Sequence, residues 1–196
     1  MNDDPEDNMT IRMPSYLHDV FGESQTIGEL LIIAFAGLGL STVLFFAFPE
    51  MTQNLPLWRS VIAYLLIADI FAGSVANFTR STNNYYAARE KQRLIFIAIH
   101  VHILIVAWLL GVGLWDSVIV WGYTIIGAYV VNALKDNQLQ MFAAGALLVL
   151  GISIIVLVVE VPKYFLLISL LFMVKVLFAF AVDLYSSQVG KLSNNT

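Results

Sequence analysis

Six long apolar runs dominate the chain, and their length limits what it can fold into. Several of them approach the ~20 residues that a helix needs to cross the hydrocarbon core of a bilayer. The composition agrees, because 59% of the 196 residues are hydrophobic and 12% are charged, whereas a soluble domain carries about 25% charged residues. The runs also lack the alternation of membrane-barrel strands. We therefore predict an all-α fold, a polytopic integral membrane bundle of six transmembrane helices.

Capping and helix-stopping residues mark the ends of these spans. Thr26 and Glu29 have the spacing of a capping box before the first span. Pro56 and Pro162 stand where the second and sixth spans begin. The loops between the last four spans are short, so consecutive helices are expected to be antiparallel neighbours. The six predicted spans cover residues 27–48, 57–78, 94–115, 118–134, 139–159 and 163–185.

The rest of the chain divides into shorter parts. Residues 1–12 are acidic and polar, and we expect a disordered tail. Residues 13–23 carry apolar side chains at helical spacing. This predicts a short amphipathic helix lying in the membrane interface, the alternative being a plain linker. The transmembrane domain then covers residues 24–188, and residues 189–196 are expected to form a flexible C-terminal tail.

Lysine and arginine are distributed unevenly between the two sides of the predicted bundle. An even number of spans places both termini on one side, which holds seven basic residues against two on the other. This bias predicts cytoplasmic termini, and we expect the membrane to be a prokaryotic plasma (inner) membrane. Trp58, Trp115, Trp121 and Tyr164 are expected to form an aromatic belt at the helix ends. The seven are Arg12, Arg80, Arg89, Lys91, Arg93, Lys135 and Lys191, and the two are Arg59 and Lys163.

Composition also narrows the chemistry and the partners. The chain has no cysteine, which excludes disulfides, thiolate nucleophiles and iron–sulfur ligation. Its net charge of −4 offers no basic face for nucleic acid. The acidic start lacks the features of a cleavable signal peptide, so the first span is expected to serve as the insertion signal. The expected partners are the lipid bilayer and a small solute or lipid, and homo-oligomerisation stays open.

Polar residues concentrate on the second span and the segment after it. Asp69, Gly73, Asn77, Arg80 and Asn84 share one stripe if the second helix continues that far. Such a stripe must face protein or water, because each unpaired polar group in lipid costs kilocalories. The small residue in the stripe would let a neighbouring helix approach closely.

The third span carries two histidines on different faces of a continuous helix. His100 shares its face with Arg93, whereas His102 is rotated by about 200° from His100. One helix would then be unable to aim both imidazoles at one point, and His100 is favoured as the inward-facing one. The His-x-His spacing also departs from the i, i+4 pair of helical zinc sites.

Depth in the membrane is the strongest argument for a shared site. Counting ~1.5 Å per residue from the helix ends places four ionisable residues about 10–18 Å inside the bilayer. Asp69 and Lys175 are then expected to pair, because either charge alone is costly in the membrane interior. The alternative is an ion pair with hydrogen-bonded histidines that only fixes helix packing. The four are Asp69, His100, His102 and Lys175. Asp183 and Ser186 are expected to lie at a solvated helix end.

A small transporter or channel is the favoured function. A histidine that titrates near neutral pH beside a buried ion pair suits a proton-coupled pathway for an ion or small solute. Arginines at the predicted cytoplasmic mouth would attract an anionic one. Six helices in a chain of this size are similar to the substrate-binding subunits of energy-coupling-factor vitamin transporters. The candidate pathway residues are Asp69, Asn77, Arg80, Asn83, Asn84, Arg93, His100, His102 and Lys175.

Three alternatives involve a cofactor, because the sequence does not exclude zinc, haem or retinal. An intramembrane metal-dependent hydrolase acting on lipid would be similar to ceramidases and adiponectin-receptor-like proteins, with His100 and Asp69 as candidate ligands. The segment KVLFAF around Lys175 resembles the retinal-binding lysine segment of microbial rhodopsins, which implies a Schiff base at that lysine. Haem ligation by His100 or His102 would need a second ligand from a partner helix. Enzymatic activity is the less favoured reading.

Overall fold

The computed structural model describes residues 10–185, and six helices in this range are long and apolar enough to cross a membrane. This supports the predicted all-α, polytopic bundle. Residues 1–9, Ser186 and the predicted C-terminal tail lie outside the described residues. The helices in chain order are α1 (His18–Phe21), α2 (Ile27–Ala47), α3 (Leu57–Ala76), α4 (Arg80–Ala87), α5 (Glu90–Leu110), α6 (Leu114–Ala133), α7 (Gln140–Val158) and α8 (Lys163–Phe180), and all but α1 and α4 are spans.

Most helix boundaries follow the local signals in the sequence. The capping box is present, since the Thr26 hydroxyl accepts from the Glu29 amide at 3.2 Å and the Glu29 carboxylate accepts from the Thr26 amide at 2.7 Å. Pro56 and Pro162 precede α3 and α8. The third span differs: it ends at Leu110, earlier than predicted, because Gly111 adopts a left-handed conformation with φ 70°. Such a glycine stops a helix at low conformational cost.

The N-terminal segment differs from the predicted interfacial helix. Residues 10–12, assigned to the tail, form strand β1 (Thr10–Arg12), which pairs antiparallel with β2 (Ser24–Thr26). Between them lie a 3-10 turn and α1, a helix of a single turn. Gly22, with φ 69°, ends α1, and a Cβ at this glycine would lie 2.4 Å from backbone and side-chain atoms of Ser81. Because Gly22 ends α1 and packs tightly against α4, residues 13–23 do not form the continuous helix that the sequence predicted.

Hydrogen bonds tie this N-terminal segment to α4. The Ser24 amide donates to the Ser81 hydroxyl at 2.9 Å, and the buried Gln25 amide donates to the Thr79 hydroxyl at 2.9 Å. The Tyr86 hydroxyl donates to the Asp19 carbonyl at 2.8 Å. Burial, with Asp19 nearby, raises the pKa of Tyr86 well above its usual range, so this phenol stays a donor at neutral pH.

Helix α8 is the centre of the bundle. In its most apolar stretch 61% of the residues are buried, against 17% in α7. It packs against α3, α5, α6 and α7, whereas α2 packs on the outer side of α3. Lys175 therefore lies on the most buried of the six spans, where a charged side chain has the least access to water.

Three spans depart from α-helical geometry. Residues Phe35–Gly39 of α2 and Val174–Phe180 of α8 are π-helical, and α5 is interrupted at His100 and Val101. The interruption has a local cause: the His100 imidazole Nδ1 is hydrogen-bonded to the Phe96 carbonyl, the acceptor that the His100 amide would use in a helix. That amide bonds Ile97 instead, at 3.3 Å. π-Helical insertions and broken spans are frequent at functional sites.

The broken backbone of α5 is satisfied by a neighbouring span. The Trp121 indole Nε1 donates to the His100 carbonyl at 3.0 Å, so Trp121 supports the interruption rather than the predicted aromatic belt. Tyr164, also assigned to that belt, is buried. Trp58 and Trp115 are exposed as expected. Irregular backbone at membrane depth is tolerated where protein groups satisfy it in this way.

Polar side chains also satisfy the irregular chain after α8. The Gln140 amide donates to the Val131 and Ala181 carbonyls at 3.2 and 3.3 Å, and its oxygen accepts from the Asp183 amide at 3.1 Å. Gln140 is 5% exposed. One side chain thus joins α6, α7 and the end of α8.

Replacing Gln140 by leucine is expected to destabilise the bundle by about 2 kcal/mol, because it leaves buried backbone groups without partners. Gln138→Leu is the matched control: Gln138 is exposed two residues away, and its replacement should change stability by less than about 0.5 kcal/mol. Unfolding in detergent, followed by circular dichroism, measures both. Equal effects in the two variants would contradict the assigned role.

Candidate functional site

The predicted ion pair between Asp69 and Lys175 is confirmed. Lys175 Nζ lies 2.7 Å from Asp69 Oδ2 and 3.3 Å from the Asp69 carbonyl oxygen. The lysine side chain is 4% exposed and the aspartate side chain 43% exposed. Gly73 makes room for the pair, since a Cβ there would meet Lys175 Cε at 2.4 Å. The glycine of the predicted stripe thus lets the lysine side chain cross the face of α3.

Both histidines lie beside this pair, which corrects the prediction that one helix would separate them. Because α5 breaks at His100, the two imidazole centroids are only 5.4 Å apart. His102 Nδ1 lies 3.9 Å from Asp69 Oδ2, and its side chain is 29% exposed. His100, which was favoured as the inward-facing histidine, is the more buried of the two, at 1% exposed. We name Asp69, His100, His102 and Lys175 the charge cluster.

Two imidazole nitrogens of the charge cluster are available for chemistry. His100 Nε2 and His102 Nδ1 are buried and have no hydrogen-bond partner within residues 10–185. A buried polar atom without a partner costs about 1–3 kcal/mol, so this arrangement favours the binding of a small hydrogen-bonding molecule.

A groove reaches the charge cluster from the side of the bundle. It lies between α2 and α3, has a volume of about 450 Å³ and is lined by apolar residues including Phe21, Ile33 and Leu38. Among the described residues that line the groove, Asp69 is the only one with a polar side chain. Gly37 permits the close contact of α2 with α3 beside it, because a Cβ there would meet the Ala72 Cβ at 2.9 Å. Apolar walls therefore lie next to the partly exposed Asp69 side chain.

A second buried ion pair joins Arg93 to Asp183, and it overturns the expectation that Asp183 lies at a solvated helix end. Arg93 NH1 lies 3.1 Å from Asp183 Oδ1, and the two side chains are 1% and 3% exposed. The same guanidinium donates to the Phe180 carbonyl at 3.1 Å. The sequence analysis missed this pair because it began the third span after Arg93, whereas α5 begins at Glu90 and includes Arg93. An arginine inside a span needs a carboxylate at the same level.

Aromatic side chains lie between the two ion pairs along α5 and α8. The Phe96 and Phe180 rings stack with centroids 4.5 Å apart. Tyr86 contacts both, at 5.0 and 4.6 Å, and the His100 ring lies 4.3 Å from Phe96. We name Tyr86, Phe96 and Phe180 the aromatic triad.

The other predicted pathway residues do not join the charge cluster. Helix α3 ends at Ala76, so the continuous polar stripe is not formed. The Asn77 amide donates to the Lys175 carbonyl at 3.2 Å, and the Asn83 amide donates to the Val182 carbonyl at 2.8 Å. Arg80 and Asn84 are exposed. The buried asparagines therefore hold α8 in place, a role that the sequence analysis did not assign.

The basic residues near the ends of α4 and α5 are largely matched by acids. Arg89 lies 3.4 Å from Glu23, and Lys135 lies 2.7 Å from Glu90. With Arg93 also paired, the expected attraction for an anionic solute at this end finds little support in the described ion pairs.

The residues present do not fit the predicted metal site. Among residues 10–185, no three histidine, aspartate or glutamate side chains come together as metal ligands. The Lys175 ammonium, 2.7 Å from Asp69 Oδ2, would also repel a divalent metal ion at that oxygen. His100 and Asp69 therefore lack the further ligands that a catalytic zinc requires.

Removing the carboxylate of the ion pair should cost more than removing the amine. Asp69→Leu leaves a nearly enclosed ammonium and is expected to destabilise by about 3 kcal/mol. Lys175→Met leaves a carboxylate that is partly exposed, and should cost less. The double variant should recover part of the loss. Unfolding free energies in detergent micelles complete the cycle, and additive effects would argue against coupling.

The second ion pair makes a matching prediction. Asp183→Asn leaves the Arg93 charge without its counter-ion, and is expected to destabilise by about 3 kcal/mol. Asp136→Asn is the control, because Asp136 is exposed and its replacement should change stability by less than about 0.5 kcal/mol. The same unfolding measurement applies, and a small effect at Asp183 would indicate a solvated carboxylate.

No protein-family model matches this chain, and comparison with curated proteins and with solved structures gives no significant match. The proposed function therefore rests on the geometry of the two ion pairs and of the groove.

Proposed function

We propose that this polytopic membrane protein is a small transporter in which the charge cluster exchanges a proton with an ion or small solute. The observation that carries the proposal is the Asp69–Lys175 pair at 2.7 Å, flanked by two imidazoles and formed where α5 and α8 leave regular helical geometry. Buried ionisable residues in spans mark ion and proton pathways more often than packing devices.

The chemistry of the cluster suits proton exchange. The Asp69 carboxylate and the two imidazoles can accept a proton, and the Lys175 ammonium can release one. The half-exposed Asp69 side chain is the group that an incoming solute would meet. A change in protonation would alter the attraction that holds α8 against α3, which links proton binding to helix packing.

The aromatic triad supports an occluded arrangement. Its rings pack against one another and against the His100 ring of the charge cluster, and Phe96 and Phe180 lie on the helices that carry Arg93 and lead to Asp183, respectively. Transport in this proposal requires these rings to separate, because apolar constrictions obstruct the passage of ions.

The finer assignments are proposals as well. We propose cytoplasmic termini on the basis of the uneven distribution of lysine and arginine, and a prokaryotic plasma membrane as the location. The N-terminal segment would then lie at the cytoplasmic interface. Asn77 and Asn83 would position α8, Arg80 and Asn84 would lie at the cytoplasmic mouth, and Arg93 with Asp183 would form the inner end of the pathway.

Proton flux through reconstituted protein tests the proposal. Liposomes loaded with the pH dye pyranine receive a pH jump in the presence of a panel of small cations and anions. We expect the protein to raise the flux above that of empty liposomes in at least one condition. Asp69→Asn and Lys175→Met should lower the protein-dependent flux at least tenfold, because each removes one side of the ion pair.

Asp136→Asn serves as the control, since it removes an exposed carboxylate outside the cluster and should leave the flux unchanged. Size-exclusion profiles and circular dichroism of each variant separate loss of transport from loss of folding. A wild-type flux equal to that of empty liposomes under every condition would refute the proposal.

A further inference from the structure

The groove between α2 and α3 combines apolar walls with one ionisable side chain. Its walls are apolar, and its volume of about 450 Å³ suits a small hydrophobic molecule. Asp69 lies at one side of the groove, and its side chain is 43% exposed. Both ion-pair contacts of this carboxylate use Oδ2, and within residues 10–185 the other oxygen, Oδ1, has no hydrogen-bond donor. The groove thus places apolar walls beside a partly exposed aspartate side chain.

We propose that this groove binds a lipophilic cation that enters from the bilayer and pairs with Asp69. The apolar walls would take the hydrophobic body of the ligand, and the carboxylate would take its charge. The inference rests on the proposed function in one respect, since it assigns a substrate class to the same carboxylate. It replaces the expected preference for anions with a preference for hydrophobic cations.

Charge balance determines how the ligand binds. The cluster already contains one negative and one positive charge, so a bound cation would add an uncompensated charge inside the membrane. Loss of the Lys175 proton removes it: an N–H bond breaks, its electron pair stays on Nζ, and the proton passes to the aqueous phase. The cation then replaces the ammonium as the partner of Asp69, one proton for one cation.

The groups that face Asp69 permit this exchange. Lys175 comes from α8, and His100 and His102 come from α5. The described groove residues of α1 and α2 are apolar, so no further charge competes from that side. The neutral amine that remains on Lys175 keeps the Asp69 carbonyl and the imidazoles as neighbours.

A binding assay with tritiated tetraphenylphosphonium tests the inference on full-length protein in detergent. We expect saturable binding and the release of about one proton per bound cation, measured with a pH dye in weakly buffered solution. Apparent affinity should rise about tenfold for each unit of pH while Lys175 is the group that loses the proton. The neutral analogue triphenylphosphine oxide should not compete.

Two kinds of variant locate the site. Asp69→Asn removes the charge and should lower the affinity at least tenfold. Ala34→Phe fills the groove without touching the ion pair, and should also lower it at least tenfold. Ala34 is exposed in the groove wall, so this variant is expected to fold. Ile32→Phe is its control, because Ile32 is exposed on the same helix but does not line the groove.

Several outcomes overturn the inference. They are the absence of saturable binding to folded wild-type protein, binding unaffected by Ala34→Phe, binding without proton release, and equal competition by the neutral analogue, which would indicate a site for neutral lipid. The pyranine assay separates this failure from that of the proposed function. If proton flux depends on Asp69 while tetraphenylphosphonium does not bind, transport stands and only the assigned substrate class falls.

Discussion

The attraction between Asp69 and Lys175 is the interaction on which the rest of the bundle depends. An unpaired ammonium inside the membrane costs several kilocalories, and Lys175 lies on the span that is most enclosed by its neighbours. Gly73 gives its side chain room, and the Asp69 carbonyl accepts from Nζ as well. The position of α8 against α3 is therefore set by the place where one positive charge can be neutralised.

Many of the remaining polar side chains serve the backbone. His100 takes the Phe96 carbonyl out of the helical pattern, and Trp121 takes up the carbonyl of His100. Asn83 and Gln140 do the same for the chain after α8. Lipid offers no hydrogen bonds, so each irregular turn at membrane depth needs such a partner. A polar residue in a span is thus evidence of either a solute site or a broken helix nearby, and only geometry separates the two.

This ambiguity sets the limit of what the sequence could predict. The spans follow from the apolar runs, because bilayer thickness fixes helix length, and equal depth predicted the Asp69–Lys175 pair. The position of the histidines was mispredicted, because no glycine or proline marks the interruption at His100, where an imidazole competes for a carbonyl. Asp183 was mispredicted because its place near a helix end suggested solvent, and because the third span was predicted to begin after Arg93, its partner. Local pattern predicts helices well, but it does not reveal which side chain will break one.

Charge neutrality connects the fold to its proposed activity. Each buried pair holds one positive and one negative charge, and the aromatic triad separates the two pairs with rings that carry none. Adding a cation to such an interior would leave an unbalanced charge inside the membrane. Exchanging the cation for a proton would leave the net charge unchanged. Asp69 is the member of either pair that is substantially exposed. In the proposed exchange, a ligand that arrives through the bilayer would therefore meet Asp69 at the apolar groove.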